Sequence, residues 1–380
     1  MVKVFENIPV NGLRFIFGLL FIFSMTGQEE KEKIISALEG FTRIAELKTD
    51  VGTVLVTEYG ARILGVFVKN KWNPLWVAEN PRDVINGRDW RLGGNRLWLS
   101  PERNYYYRRP GDFEEWLCQP SLDPGNWRII SSREDSITLE EETEVEDFAN
   151  HTRIRLSLSR TFFIYSSIAK RGVEHVGLRI REALIAKGEI RSGINLWSIT
   201  QIRPGRGGTV LIPTRRGAKP IHYFGRIPKD RLRVSETHVS FRIDGAAVHK
   251  LGIAPEDTSQ PGCSTIMYYT ENEEDESFLL SMRTMMAPQS QDECLDVAKA
   301  DPSGPKGCIQ SYNSGPELGF GEMELHFKPA VRIKDSWISY ADYELDVFAG
   351  KRNKVIRILR RSIPKPFLFK SFKKQSSGRE

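Results

Sequence analysis

The sequence predicts an all-β protein: one large antiparallel body, with a short N-terminal helix and a basic C-terminal helix or tail. Three observations carry this. Between Leu47 and Phe348 the dominant pattern is period-two alternation of apolar and polar residues, bounded by turn residues. No helical pattern of about 10–15 residues separates the strand-like runs, which argues against a parallel α/β sheet. No repeat at a fixed period is visible, which argues against a propeller. Many antiparallel strands in a chain of 380 residues make a large sandwich or barrel.

Taken in chain order, Leu13–Met25 reads LRFIFGLLFIFSM, shorter than the roughly 20 apolar residues a membrane helix needs. It has the length of a signal-peptide core behind Lys3 and Arg14, although Glu6 interrupts the basic lead and no small-x-small cleavage site follows Phe23. Alternatively Met25 is the true initiator. Initiation there would leave a cytoplasmic chain, and a cleaved leader a secreted one. Thr26-Gly-Gln-Glu29 then forms a capping box for a helix through Lys31–Leu38. Strand-like runs follow at Gly52–Tyr59, Arg62–Val68, Ser136–Glu144, Arg153–Ser159, Val176–Arg181, Thr209–Pro213, Val239–Ile243, Ser264–Tyr269, Ser277–Thr284 and Met323–Ile333. Lys351–Ile363 is a basic amphipathic stretch, followed by Pro364, Pro366 and FLFKSFKK. It reads either as a peripheral contact with an acidic membrane surface through 351–380, or as a last helix packed by Val355, Ile358 and Leu359. The division expected is a leader or mis-assigned start over 1–25, a helical lead-in over 26–46, the β body over 47–350 and the basic tail over 351–380.

Hydrophobic residues at 40% and charged residues at 27% describe an ordinary folded protein. The net charge of +6 is concentrated: Lys351–Glu380 carries +10, leaving the other 350 residues at −4. A basic face for nucleic acid is therefore not expected. The six histidines and four cysteines show no HExxH or CxxC spacing, so neither a metal nor a cofactor is expected. Cys294 and Cys308 flank a loop rich in Asp, Pro and Gly; they bridge in an oxidising compartment and are small buried residues in a reducing one.

Two segments carry unusual chemistry. In LGGNRLWLSPERNYYYRRPGDFEEW (Leu92–Trp116), Gly93 and Gly94 allow close backbone approach, and Arg96, Trp98 and Glu102 follow within a few residues. On a strand Arg96 and Trp98 share a face, where a cation can hold a sugar hydroxyl and an indole can stack on its apolar side; a salt-bridged edge strand is the alternative. In GEMELHFKPA (Gly321–Ala330), Met323, Leu325 and Phe327 point one way and Glu322, Glu324, His326 and Lys328 the other. If that polar face lines a cavity, crowding and desolvation raise a carboxyl pKa and poise it for proton transfer. Lys250, in HKLGI, is either a ligand contact or a surface residue, and the loop Cys294–Tyr312, with Asp296, Asp301, Gln310 and Tyr312, has the polar density of a groove rim.

Gly60–Ile63 (GARI), GGNRLWLSPE, Asn195–Gln201 (NLWSITQ) and EMELHFKP together resemble the galactose mutarotase-like (aldose 1-epimerase-like) superfamily, over roughly Leu47–Phe348. The resemblance implies an antiparallel β-supersandwich with a groove for a mono- or oligosaccharide across one concave sheet. It implies that Arg96 holds the sugar and that Glu324, or Glu322 in its place, is the base that takes the anomeric proton. Trp98, Glu102, Asn195, Trp197, Lys250 and His326 are the further candidate contacts. The family's proton-donating His has no counterpart, since that stretch reads Asn195-Leu196-Trp197-Ser198. The expected function is thus carbohydrate binding with epimerase or mutarotase chemistry; the alternatives are non-catalytic saccharide binding and an accessory domain of polysaccharide processing.

Overall fold

The computed structural model describes residues 26–69, 71–166, 172–272 and 276–364. The expectations for the leader and for the chain beyond Pro364 fall outside these residues. Four α-helices are present among them: α1 (Gly27–Leu38), α2 (Pro81–Asn86), α3 (Glu102–Tyr106) and α4 (Arg352–Ser362). Helix α1 starts at the capping box read from the sequence. The Glu29 amide donates to Thr26 Oγ1 at 3.2 Å, and the Thr26 amide donates to the Glu29 carboxylate at 2.7 Å.

The rest is antiparallel β-structure. The first strands are β1 (Ile44–Thr49), β2 (Gly52–Thr57), β3 (Arg62–Val68), β4 (Asn95–Ser100), β5 (Tyr107–Arg109), β6 (Glu114–Trp116) and β7 (Arg128–Ser132). Then come β8 (Ser136–Asp147), β9 (Thr152–Tyr165), β10 (Val173–Lys187), β11 (Asn195–Ile202), β12 (Arg206–Pro213), β13 (Ile221–His222) and β14 (Leu232–Val234). The last are β15 (His238–Arg242), β16 (His249–Ile253), β17 (Ser264–Glu271), β18 (Glu276–Thr284), β19 (Ile309–Asn313), β20 (Gly321–His326), β21 (Val331–Ile333) and β22 (Ser336–Lys351). Nine strands form one sheet in the order β1-β2-β3-β4-β11-β20-β19-β16-β13. Eleven form the other, β14-β15-β12-β17-β18-β22-β10-β9-β8-β7, with β21 beside β22; β5 and β6 make a separate hairpin.

Alternation along the strands decides what lies between the sheets. Leu97 of β4, Leu196 of β11 and Met323 of β20 share one buried cluster with Leu178 and Ile180 of β10 and Leu345 of β22. A polar link crosses the same interior. Buried Arg160 of β9 donates to Asn95 Oδ1 at 2.6 Å, the Ala61 carbonyl at 2.6 Å and Glu182 Oε1 at 3.0 Å. The Tyr343 hydroxyl donates to Glu182 Oε1 at 3.1 Å and lies 2.6 Å from Ser198 Oγ. The second sheet thereby holds β4 and β11 from behind.

One reading changes here, and one of two alternatives is taken up. The run Met323–Ile333 is not one strand: β20 ends at His326, and β21 pairs with β22 in the other sheet. Pro329, lacking an N–H, falls in the break. The basic C-terminal helix uses its apolar side internally, because Val355, Leu359 and Ile363 are buried with Leu211, Tyr269 and Leu279. An interfacial helix needs that side free to enter lipid. Among the described residues, no helix is long and apolar enough to cross a membrane.

Candidate functional site

The outer face of the nine-stranded sheet collects the unusual side chains by register. Across the central strands, Trp98, Trp197 and His326 stand in one row, and Arg96, Ile199, Glu324 and Gln310 in the next. A further row holds Gln201, Glu322, Tyr312 and Lys250. The strand β4 enters through Gly93 and Gly94, at φ +104° and +77°. A Cβ at either would come within 2.3 Å of the Trp76 carbonyl or 2.1 Å of the Ile63 carbonyl, so only glycine lets the chain pass there.

These rows floor a cavity of about 250 Å³. Trp90, Trp98, Trp116, Trp197, Tyr107, Phe224, Tyr312 and Phe320 wall it, and Arg96, Glu102, Lys250 and Glu322 bring charge to it. Ring centroids of Trp90 lie 5.5 Å from Trp98 and 5.3 Å from Trp116. The Arg96 guanidinium sits 3.9 Å over the Trp98 ring and 4.9 Å over Trp90, and donates to Glu322 Oε1 at 2.9 Å. Its Nε and Nη1 have no hydrogen-bond partner. Gln201 Nε2 also donates to Glu322 Oε1, at 3.1 Å.

Lys250 is the second cation. Its Nζ lies 3.2 Å from Glu324 Oε2 and 3.5 Å from Glu102 Oε2, and 4.7 Å from the Trp197 ring centroid. Trp197 Nε1 donates to Glu324 Oε2 at 3.1 Å, and Trp116 Nε1 to Glu102 Oε1 at 3.1 Å. Burial lowers the Lys250 pKa, but the carboxylates of Glu324, Glu102 and Asp296 outweigh it and hold the ammonium well above its usual range. Burial pushes the Glu324 carboxyl up to about 8; Lys250 opposes this, while Glu322 and Glu102 add to it. Burial and the Lys250 charge hold His326 well below the usual imidazole range, so it is neutral at pH 7. Two cations, Arg96 and Lys250, thus meet four carboxylates, Glu102, Asp296, Glu322 and Glu324. Retaining one proton relieves that imbalance.

This has a measurable consequence. An unfolded Glu ionises near pH 4.3, whereas folded Glu324 holds its proton up to about pH 8. Across that window the folded state binds more protons, so stability falls as pH rises. Glu324→Gln removes this contribution. Its unfolding midpoint should decline less than that of wild type over the same window, and parallel curves would show that Glu324 is ionised throughout.

Six of the nine residues singled out in the sequence line the cavity: Arg96, Trp98, Glu102, Trp197, Lys250 and Glu322. Glu324 and His326 are buried behind it, with His326 stacked on Trp197 at 4.9 Å and neither of its nitrogens hydrogen-bonded. Asn195 lies farther along β11, where its Nδ2 donates to the Phe327 carbonyl at 2.6 Å. Lys328 leaves the polar face and stands at the surface near Glu293. Lys250 is buried, not a surface residue. Of the loop residues read as a rim, Tyr312 lines the cavity, Asp296 and Gln310 are buried beneath it, and Asp301 lies in a turn. Cys294 and Cys308 are bonded to each other. Trp90, Tyr107, Trp116, Phe224 and Phe320 were not singled out; the aromatic density around GGNRLWLSPE and GEMELHFKPA was the signal for all but Phe224, which had none. Among the described residues, no group of three or more His, Cys, Asp or Glu side chains is placed to hold a metal ion.

Fold and site together define a two-sheet antiparallel β protein with an aromatic, charge-paired pocket on one sheet. The chain belongs to DUF6786, a family of unknown function, whose model matches residues 84–317. That match takes in β4, β11, β16 and β19 and ends before β20. No curated protein matches the chain. Among solved structures, a candidate aldose 1-epimerase from Escherichia coli K12 aligns with a TM-score of 0.48 and 12% identity, over 82% of this chain and 99% of that one. A galactose mutarotase-like protein from Lactobacillus casei aligns with a TM-score of 0.40 and 11% identity, over 81% and 99%. A galactose mutarotase related enzyme from Lactobacillus acidophilus gives 0.46 and 8%, over 82% and 99%.

Proposed function

We propose that the protein binds a single sugar ring of a mono- or oligosaccharide in this pocket and interconverts its anomers or epimers. One observation carries the reading: flat indole rings and paired, buried charges share a cavity of about 250 Å³. Pockets for drug-sized ligands run to roughly 300–1,000 Å³, so this volume suits a smaller guest. A sugar ring offers an apolar C–H face to Trp90, Trp98 or Trp116 and a rim of hydroxyls to Arg96, Lys250, Glu102 and Glu322. Charged partners make the stronger hydrogen bonds to such hydroxyls.

In anomer exchange a base takes the anomeric hydroxyl proton as a carbonyl forms at the anomeric carbon and its bond to the ring oxygen breaks. The ring oxygen takes a proton from the Lys250 ammonium, and after rotation about the adjacent C–C bond the reverse transfers reclose the ring. Glu322 reaches the cavity directly and is the carboxylate positioned to accept that proton. Glu324 stores a proton behind Lys250 and tunes the charge that Lys250 presents to the ring oxygen. A second reading, saccharide binding without catalysis, is favoured by the burial of Glu324 and by the absence of a His from Asn195–Ser198. A glycan array followed by NMR measurement of anomer exchange on each bound sugar separates the two. Acceleration of exchange supports the enzyme, binding without acceleration the second reading, and failure to bind any sugar removes both.

A further inference from the structure

The loop closed by Cys294–Cys308 contributes no wall to the cavity, but its Asp296, 2% exposed, lies buried beneath it. Asp296 Oδ1 accepts the Glu102 backbone N–H at 3.1 Å, and Oδ2 accepts Gln310 Nε2 at 3.0 Å. Glu102 opens α3, and its side chain is the joint between two cavity walls, taking Trp116 Nε1 on one oxygen and Lys250 on the other. The same loop reaches the β5–β6 hairpin, where Lys299 Nζ donates to the Phe113 carbonyl at 3.1 Å. We propose that Asp296 is a positioning residue for the pocket: anchored two residues from the disulfide, it fixes the start of α3 and, through Glu102, sets where Lys250 and Trp116 stand. The inference rests on this pocket being the ligand site.

Charge adds to the geometry. Burial raises the Asp296 carboxyl to about 6, against the pull of Lys250 and with repulsion from Glu102. The groups facing it are Lys250 of β16, Glu102 of α3, Gln310 of β19, and the phenols of Tyr223 and Tyr107. Above about pH 6 the carboxylate is ionised and holds both donors; below it, protonation weakens the grip on the Glu102 amide.

Fluorine NMR of the fluorotryptophan-labelled full chain, with the Trp116 signal assigned by Trp116→Phe, tests this without any sugar. The wild-type Trp116 resonance should shift with a midpoint near pH 6, and Asp296→Asn should abolish that step. Asp296→Asn keeps one acceptor for the Glu102 amide, so it guards against simple loss of folding. A second step near pH 8, from Glu324, should survive in the variant. Asp296→Ala should displace the Trp116 signal at every pH. Persistence of the step near pH 6 in Asp296→Asn, or a Trp116 signal indifferent to both substitutions, would overturn the proposal. Neither result depends on which ligand the pocket takes, so a failed sugar assignment would be seen separately, in the glycan measurements.

Discussion

Asp123→Ala is expected to cost about 3–5 kcal/mol of stability, the loss typical when one partner of a buried ion pair is removed. Asp123 holds Arg62 through both carboxylate oxygens at 2.6 Å and accepts Trp98 Nε1 at 2.7 Å. Both members are buried, with side-chain exposures of 0% and 3%. Arg62 retains the Trp90 and Gly93 carbonyls, at 2.6 and 2.8 Å, but neither neutralises its charge. The substitution therefore loosens the backbone that delivers Trp90, Arg96 and Trp98 to the cavity. Denaturant unfolding followed by tryptophan fluorescence measures the effect. Replacing both partners by apolar residues, Arg62→Met with Asp123→Leu, should recover much of it. A loss below about 1 kcal/mol for Asp123→Ala would mean that the Arg62 charge is satisfied elsewhere.

Glu322→Gln is expected to slow anomer exchange by about 10²–10⁴-fold, the usual contribution of a positioned acid–base group. Sugar affinity should change little, because the amide keeps size and hydrogen-bonding capacity. Glu324→Gln should act differently: with no direct contact to the ligand, it should shift the pH profile of exchange more than its maximum. Collapse of the rate in Glu324→Gln, with Glu322→Gln nearly unaffected, would assign the base to Glu324. Arg96→Met should weaken sugar binding roughly tenfold to a hundredfold under either reading, since a hydrogen bond to a charged group is worth about 1.5–3 kcal/mol. Wild-type protein that binds a sugar but leaves its anomers alone would decide for binding alone.

The long strands with a clear alternation were legible because each reports itself locally. RIRLSLS in β9 and MELHF at β20 display their buried and outward letters without reference to any other part of the chain. The capping box at Thr26 and the glycine pair before Arg96 were equally local. Lys250 was legible only as one of two readings, a ligand contact or a surface residue, and its partners were not legible at all. Its apolar neighbours gave no sign that β16 would lie two strands from β20, bringing its ammonium to Glu324 seventy-four positions away. The difference in depth between Glu322 and Glu324 was hidden for a related reason. Both alternate correctly on one face, but the depth of each depends on which side chains cover it, and Lys250 and Trp197 cover only Glu324. The C-terminal helix shows a further limit: an amphipathic pattern states that one side is apolar, not whether lipid or the protein's own sheet will take it.

The strand β11 has a consequence for how such a protein can change. It carries two messages in alternate letters: Trp197 writes the pocket and Gln201 braces its Glu322, while Leu196, Ser198 and Thr200 write the interior between the sheets. Exchanging one outward letter alters what the pocket accepts and leaves the backbone as it was. Inserting a single residue would transpose the two messages, burying the pocket's vocabulary and exposing the core's. New ligand preferences can therefore arise here by spelling changes within strands, while changes of length are confined to the connections, such as the loop between Cys294 and Cys308.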